Sequence, residues 1–151
     1  MRREPLILTP ASEVSALSAV RDGSAHMALV RDVAASGDLH VIPLYREQPV
    51  VVSARDSVVA AFDSLSVADL AGETVLEGQD AATIELVAAG VGVAVMPHSV
   101  ARALARRDVV ARGVLDAPST GIGLAWLVAA THPRIDTFVG IVRGRTENSS
   151  R

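Results

Sequence analysis

The sequence predicts an α/β fold: a mixed sheet with helices on both faces. Two observations predict it. Short, mostly all-apolar strand candidates alternate with stretches of helical periodicity, the pattern of strands buried on both sides. Of the 151 residues, 50% are hydrophobic and 21% charged, a globular rather than a disordered composition. A chain of this length buries roughly two thirds of the surface its unfolded form exposes, so a core forms without disulfides.

The elements follow in order. Residues 5–9 (PLILT) read as a short buried strand. A helix over 11–22 follows, with Val14, Leu17 and Val20 spaced by three, Ser12 as cap and Gly23 as stop. Residues 25–30 (AHMALV) form the next strand, so the pair is expected to run parallel as a βαβ unit. Loops at the ends of such strands would converge on a shared hollow, and the reading leans on that pair. Strands are expected at 39–44 and 49–54, then a short helix at 66–71 opened by Ser66 and Asp69 at capping spacing. A strand at 73–77 leads to a helix at 80–89, stopped by Gly90. A strand at 92–96 ends at Pro97, and a helix over 98–106 is capped by His98 or Ser99. Strands at 109–115 and 122–129 precede the last helix, which starts at Thr131-His132-Pro133 with proline in the permitted first turn. Gly144 is expected to end it, leaving 145–151 as a flexible tail.

Several functions are excluded. The net charge is −3, and all fourteen basic residues are arginine, with one short concentration at Arg102, Arg106, Arg107 and Arg112. That is no nucleic-acid footprint, so no direct nucleic acid contact is expected. Without Cys or Lys there is no thiol chemistry, no Schiff-base lysine and no phosphate-loop lysine. His26, His40, His98 and His132 lie far apart and show no metal-ligand spacing, so no metal is expected. Gly90-Val91-Gly92 follows a helix and precedes a strand, the reverse of a dinucleotide loop; a helix stop followed by tight packing explains it better. No nucleophile elbow is present, no catalytic residue is assigned and no cofactor is implied. The chain is read as a non-enzyme. It shows no secretory signal and no uninterrupted membrane span, so a cytoplasmic location is expected.

Four stretches then carry a resemblance. They are LSAVRDGSAHMALVR (17–31), LHVIPLYREQPVVVSARDSVVA (39–60), SVADLAGETVL (66–76) and IELVAAGVGVAVMPHSVARAL (84–104). In this order they resemble the effector (substrate)-binding domain of LysR-type transcriptional regulators. The resemblance implies a periplasmic-binding-protein-like (type 2) fold in a reduced version, without a helix-turn-helix. It covers residues 1–144, with lobes at 1–46 plus 112–144 and at 47–111. Two pieces of the family pattern have no match: a strand and helix ahead of the segment 5–22, and a longer helical stretch where only Gly78 and Gln79 stand.

The family places small molecules between its lobes, at strand C-termini and helix N-termini, where unpaired N–H groups attract anions. That assigns Thr9, Ser12, Arg31, Gln79, Pro97 and His98 as ligand-binding residues. Ordinary capping competes at Thr9, Ser12 and His98, and a solvated ion pair competes at Arg31. The expected function is an effector-binding regulatory domain that senses a small anionic molecule between two lobes. The alternative is a ligand-free dimerisation or interaction protein on the same fold. A small-molecule effector and a second copy, forming a homodimer, are the expected partners.

Overall fold

The structure, a computed structural model, describes residues 5–130 and 132–148. Its elements are α1 (Glu13–Asp22), β1 (Ala28–Arg31), β2 (Leu39–Glu47), β3 (Pro49–Ala54), β4 (Ser64–Leu65), α2 (Ala81–Ala88), β5 (Ala94–Pro97), α3 (His98–Ala103), β6 (Val109–Val114), β7 (Thr120–Leu127) and α4 (Pro133–Asn148). Single 3₁₀ turns stand at Val58–Ala61 and Val67–Leu70. They form two units, Met1–Tyr45 with Gly121–Arg151, and Arg46–Thr120. The return crossing thus falls after Thr120 rather than after residue 111, because β6 is a sheet partner of β3.

In the first unit the strand order is β1-β7-β2. β1 runs antiparallel to β7, with Ala28 opposite Ala125 and Arg31 opposite Ile122. Side chains alternate across a strand, and β7 shows it. Ala125 and Leu127 join Val20, Val30 and Leu39 beneath α1, while Leu124 and Trp126 join Ile135 and Val139 beneath α4.

The second unit is built on β3, whose six residues are all buried. The order is β4-β6-β3-β5. β3 pairs antiparallel with both β5 and β6, and β4 pairs parallel with β6. Val50 and Val52 face Ile84, Val87 and Ala101 of α2 and α3. Val51 faces the other way, onto Leu65 of β4 and onto Val59 and Leu70 of the two 3₁₀ turns. Burying each such aliphatic side chain contributes about 1.5–3 kcal/mol.

Several expectations need correction. Residues 5–9 form no strand, and the parallel pair with 25–30 does not exist; β1 begins at Ala28 and its ladder is with β7. A strand requires a partner for its N–H and C=O groups, and no strand among the described residues pairs with 5–9. Leu6, Ile7 and Leu8 are correspondingly exposed. The strand at 73–77 shrinks to one parallel bridge, Val75 to Val93. The helix at 66–71 is a 3₁₀ turn, opened by the expected capping box of Ser66 and Asp69. Gly144 does not end α4, which runs on to Asn148; the rest of the expected tail lies outside the described residues, as does Thr131. Antiparallel pairs are in the majority, and the sheet of the second unit is mixed through the parallel pair of β4 and β6.

Candidate functional site

Thr9, Ser12 and Arg31 belong to the first unit. Thr9 stands exposed in irregular backbone ahead of α1. Ser12 is the N-cap: its Oγ accepts the Ser15 N–H at 3.2 Å and donates to Ser15 Oγ at 2.8 Å. The α1 N-terminus is therefore closed by a neutral hydroxyl. Arg31 is half-buried at the end of β1. The next residue, Asp32, holds a left-handed φ of 47°, a conformation that Asp tolerates better than bulkier residues. Its N–H donates to Gly121 O at 2.8 Å and its carboxylate accepts the Gly121 N–H at 2.7 Å. This two-way clip fixes the backbone that carries Arg31. Sequence reasoning missed Asp32, since nothing local announces a clip to a residue 89 positions away.

Gln79, Pro97 and His98 belong to the second unit. Gln79 is exposed beside Gly78, whose φ of 113° no Cβ would suit; a Cβ there would sit 2.3 Å from Thr83 Oγ1. The neighbouring Asp80 caps α2, accepting the Thr83 N–H at 2.9 Å and its hydroxyl at 2.8 Å. At the third junction Pro97 is the N-cap of α3 and offers no side-chain bond. The cap is not His98 or Ser99, as the local pattern suggested. Instead the buried Glu47 reaches across and accepts the Ser99 N–H. Two of the three junctions expected to attract an anion are thus already met by the chain's own carboxylates. Sequence reasoning named neither carboxylate, and only the tertiary fold brings Glu47 to Ser99.

Two members of the arginine concentration are engaged within the fold: Arg106 pairs with Asp108 and Glu85, and Arg112 donates to Ala60 O at 3.0 Å. Among the described residues no group of three metal-ligating side chains occurs, and no helix is long and apolar enough to cross a membrane. Trp126 lies at the edge of the α4 core and against the His40 ring, while Tyr45 is exposed.

The capping carboxylates set a pH dependence. The Thr83 N–H holds Asp80 below the ordinary aspartate range, and Ser66 N–H does the same for Asp69. The Ser36 hydroxyl, with Arg21 behind it, lowers Asp38. Each folded pKa lies below the unfolded one, so unfolding in acid takes up protons. The stability they contribute is complete above about pH 4 and is lost as the pH falls through their folded values. Thermal unfolding across a pH series should show a midpoint that drops on acidification below about pH 4. A midpoint that rises there would contradict the assigned caps.

Comparison with known proteins gives a consistent result. The family model of the LysR substrate binding domain matches residues 5–80 and 78–147. No curated protein matches the chain by sequence. Among solved structures, the BenM effector binding domain with its effector benzoate superposes with a TM-score of 0.75 at 15% identity, over 92% of this chain and 77% of that one. The effector binding domain of QuiR in complex with shikimate gives 0.71 at 18% identity, over 91% and 79%. The oxidized form of OxyR from Corynebacterium glutamicum gives 0.71 at 20% identity, over 92% and 53%. The chain spans about half the length of the OxyR regulators it matches. The shared fold is the mixed α/β arrangement of LysR substrate-binding domains, periplasmic-binding-protein-like of type 2.

Proposed function

Because the chain belongs to the LysR substrate binding domain family, matched across residues 5–80 and 78–147, we propose that it is an effector-binding module of a LysR-type transcriptional regulator. The family is one of transcription regulators, not enzymes. The observation that carries the proposal is the family match along nearly the whole chain, joined to a fold shared with domains solved with benzoate and shikimate. The effector is a small anionic molecule taken up in the cytoplasm. Contact with DNA falls to a further domain or another chain, and the module works as a homodimer.

The contacts are assigned unequally. Asp80 and Glu47 close the helix N-termini beside Gln79 and Pro97-His98 with negative charge, so these three residues contact the part of the effector away from its anionic group. Recognition of the anion rests on Thr9, Ser12 and Arg31, where the cap is neutral and a guanidinium is at hand. Regulation further requires the effector to bind one state of the domain more tightly than another.

Thermal-shift screening against small carboxylates, shikimate and benzoate included, tests the reading. A saturable rise in melting temperature is expected with at least one acid. Ser12→Ala should cost about 1 kcal/mol through the lost cap and should also weaken that protection. A folded protein protected by none of the acids would remove the sensing role. The second reading, a ligand-free interaction protein, would then stand, and one observation favours it: Leu6, Ile7, Leu8 and Leu29 are exposed, and β1 lies at a sheet edge, which proteins normally cover.

A further inference from the structure

The first unit holds a hollow of its own, where α1 ends and α4 begins. Its volume is about 540 Å³, within the roughly 300–1,000 Å³ of small-molecule sites. Its accessible apolar lining comes from Leu127, Ala129, Ala130 and Pro133, with the buried core residues Val20 and Ile135 behind them. Two histidines, distant in sequence, supply its polar end. The rings of His26 and His132 lie 4.3 Å apart, centroid to centroid, tilted by 48°. Neither the capping bonds nor the cores described above require this pair.

The state of His132 says what the pair suits. Its Nδ1 accepts the Arg134 N–H at 3.3 Å, at the start of α4. A neutral imidazole that accepts at Nδ1 carries its proton at Nε2, so the ring is left as a donor. A metal-bound histidine has the opposite polarity, coordinating through one nitrogen while donating from the other. The nearby Asp22 carboxylate is engaged by the Ser24 N–H at 2.8 Å. An apolar floor with ring N–H donors at one end matches an apolar ring bearing a carboxylate.

We propose that this hollow binds a small aryl or cycloalkyl carboxylic acid, at a site separate from Thr9, Ser12 and Arg31. The ring of the acid lies on Leu127, Ala130 and Pro133. Its carboxylate accepts hydrogen bonds from the imidazoles of His26 and His132. Occupancy ties the end of α1 to the start of α4.

The test is a phenylacetate titration of the isotope-labelled full chain, followed through the ring resonances of its four histidines. His26 and His132 should shift saturably while His40 and His98 stay in place. His26→Ala combined with His132→Asn, which retains a capping side chain, should weaken binding roughly tenfold, the equivalent of a lost hydrogen bond to a charged group. Ser12→Ala should leave these shifts unchanged, which separates this site from the effector contacts. The proposal is overturned if the His26 and His132 signals do not respond, or if the double variant binds equally well. It is overturned in favour of mere apolar adsorption if 2-phenylethanol, the neutral analogue, binds as tightly. Selective broadening of both signals by Ni²⁺, with no response to phenylacetate, would assign the pair to a metal instead.

Discussion

Replacing Gly92 with valine is expected to destabilise the unit formed by residues 46–120 by about 3 kcal/mol, the upper range for overpacking a close-packed interior. A Cβ at Gly92 would lie 2.3 Å from the Thr74 carbonyl oxygen and 3.1 Å from Leu76 Cγ. The opposing backbone cannot retreat, because Val93 N–H donates to Thr74 O and Leu76 N–H to Val93 O, both at 2.8 Å. Val93 is itself buried against Val51 and Leu70. Urea denaturation measures the effect as a lower midpoint at unchanged slope. Gly90→Ala is the control two residues away. Gly90 has a φ of 78°, but nothing lies within 4 Å of a Cβ placed there, so only the left-handed backbone is penalised, by about 1 kcal/mol. Equal losses at the two positions would contradict a close crossing at Gly92.

Glu47→Ala is expected to cost about 2 kcal/mol, the range for losing a hydrogen bond to a charged group. Glu47 is 8% exposed at the end of β2 and accepts the Ser99 N–H in the first turn of α3. Pro97, the cap residue of α3, makes no side-chain hydrogen bond of its own. Glu47→Gln keeps an acceptor oxygen and should recover most of the loss. Denaturation of the two variants side by side decides the matter. A neutral or stabilising alanine variant would mean that burying the carboxylate costs as much as its bond returns. The outcome bears on the proposed site, because Glu47 occupies the Ser99 N–H at the Pro97-His98 junction.

Much of the fold was legible because its signals are local. The unbroken apolar run of β3, the capping pair Ser66 and Asp69, the cap position Ser12 and the stops at Gly23 and Gly90 all act within a few residues of themselves. The Gly90-Val91-Gly92 segment was readable in the same way, since the order helix, glycine, strand leaves no room for a phosphate loop. The four stretches between residues 17 and 104 carried the family as well, and the match over 5–147 bears that out.

What depended on a partner was not legible. PLILT has the composition of a strand, yet it is one only if another strand lies beside it, and residues 5–9 lie in no ladder. Glu47 and Ser99 are 52 positions apart, Asp32 and Gly121 are 89 apart, and His26 meets His132 across the first unit. By itself, then, the sequence determined where this chain turns, caps its helices and hides its valines, because backbone geometry and apolar periodicity act at short range. Only the tertiary structure decided which carboxylate closes which helix and which histidines share a hollow. Those are contacts between side chains whose meeting depends on how the sheets are ordered, and no local pattern encodes that order.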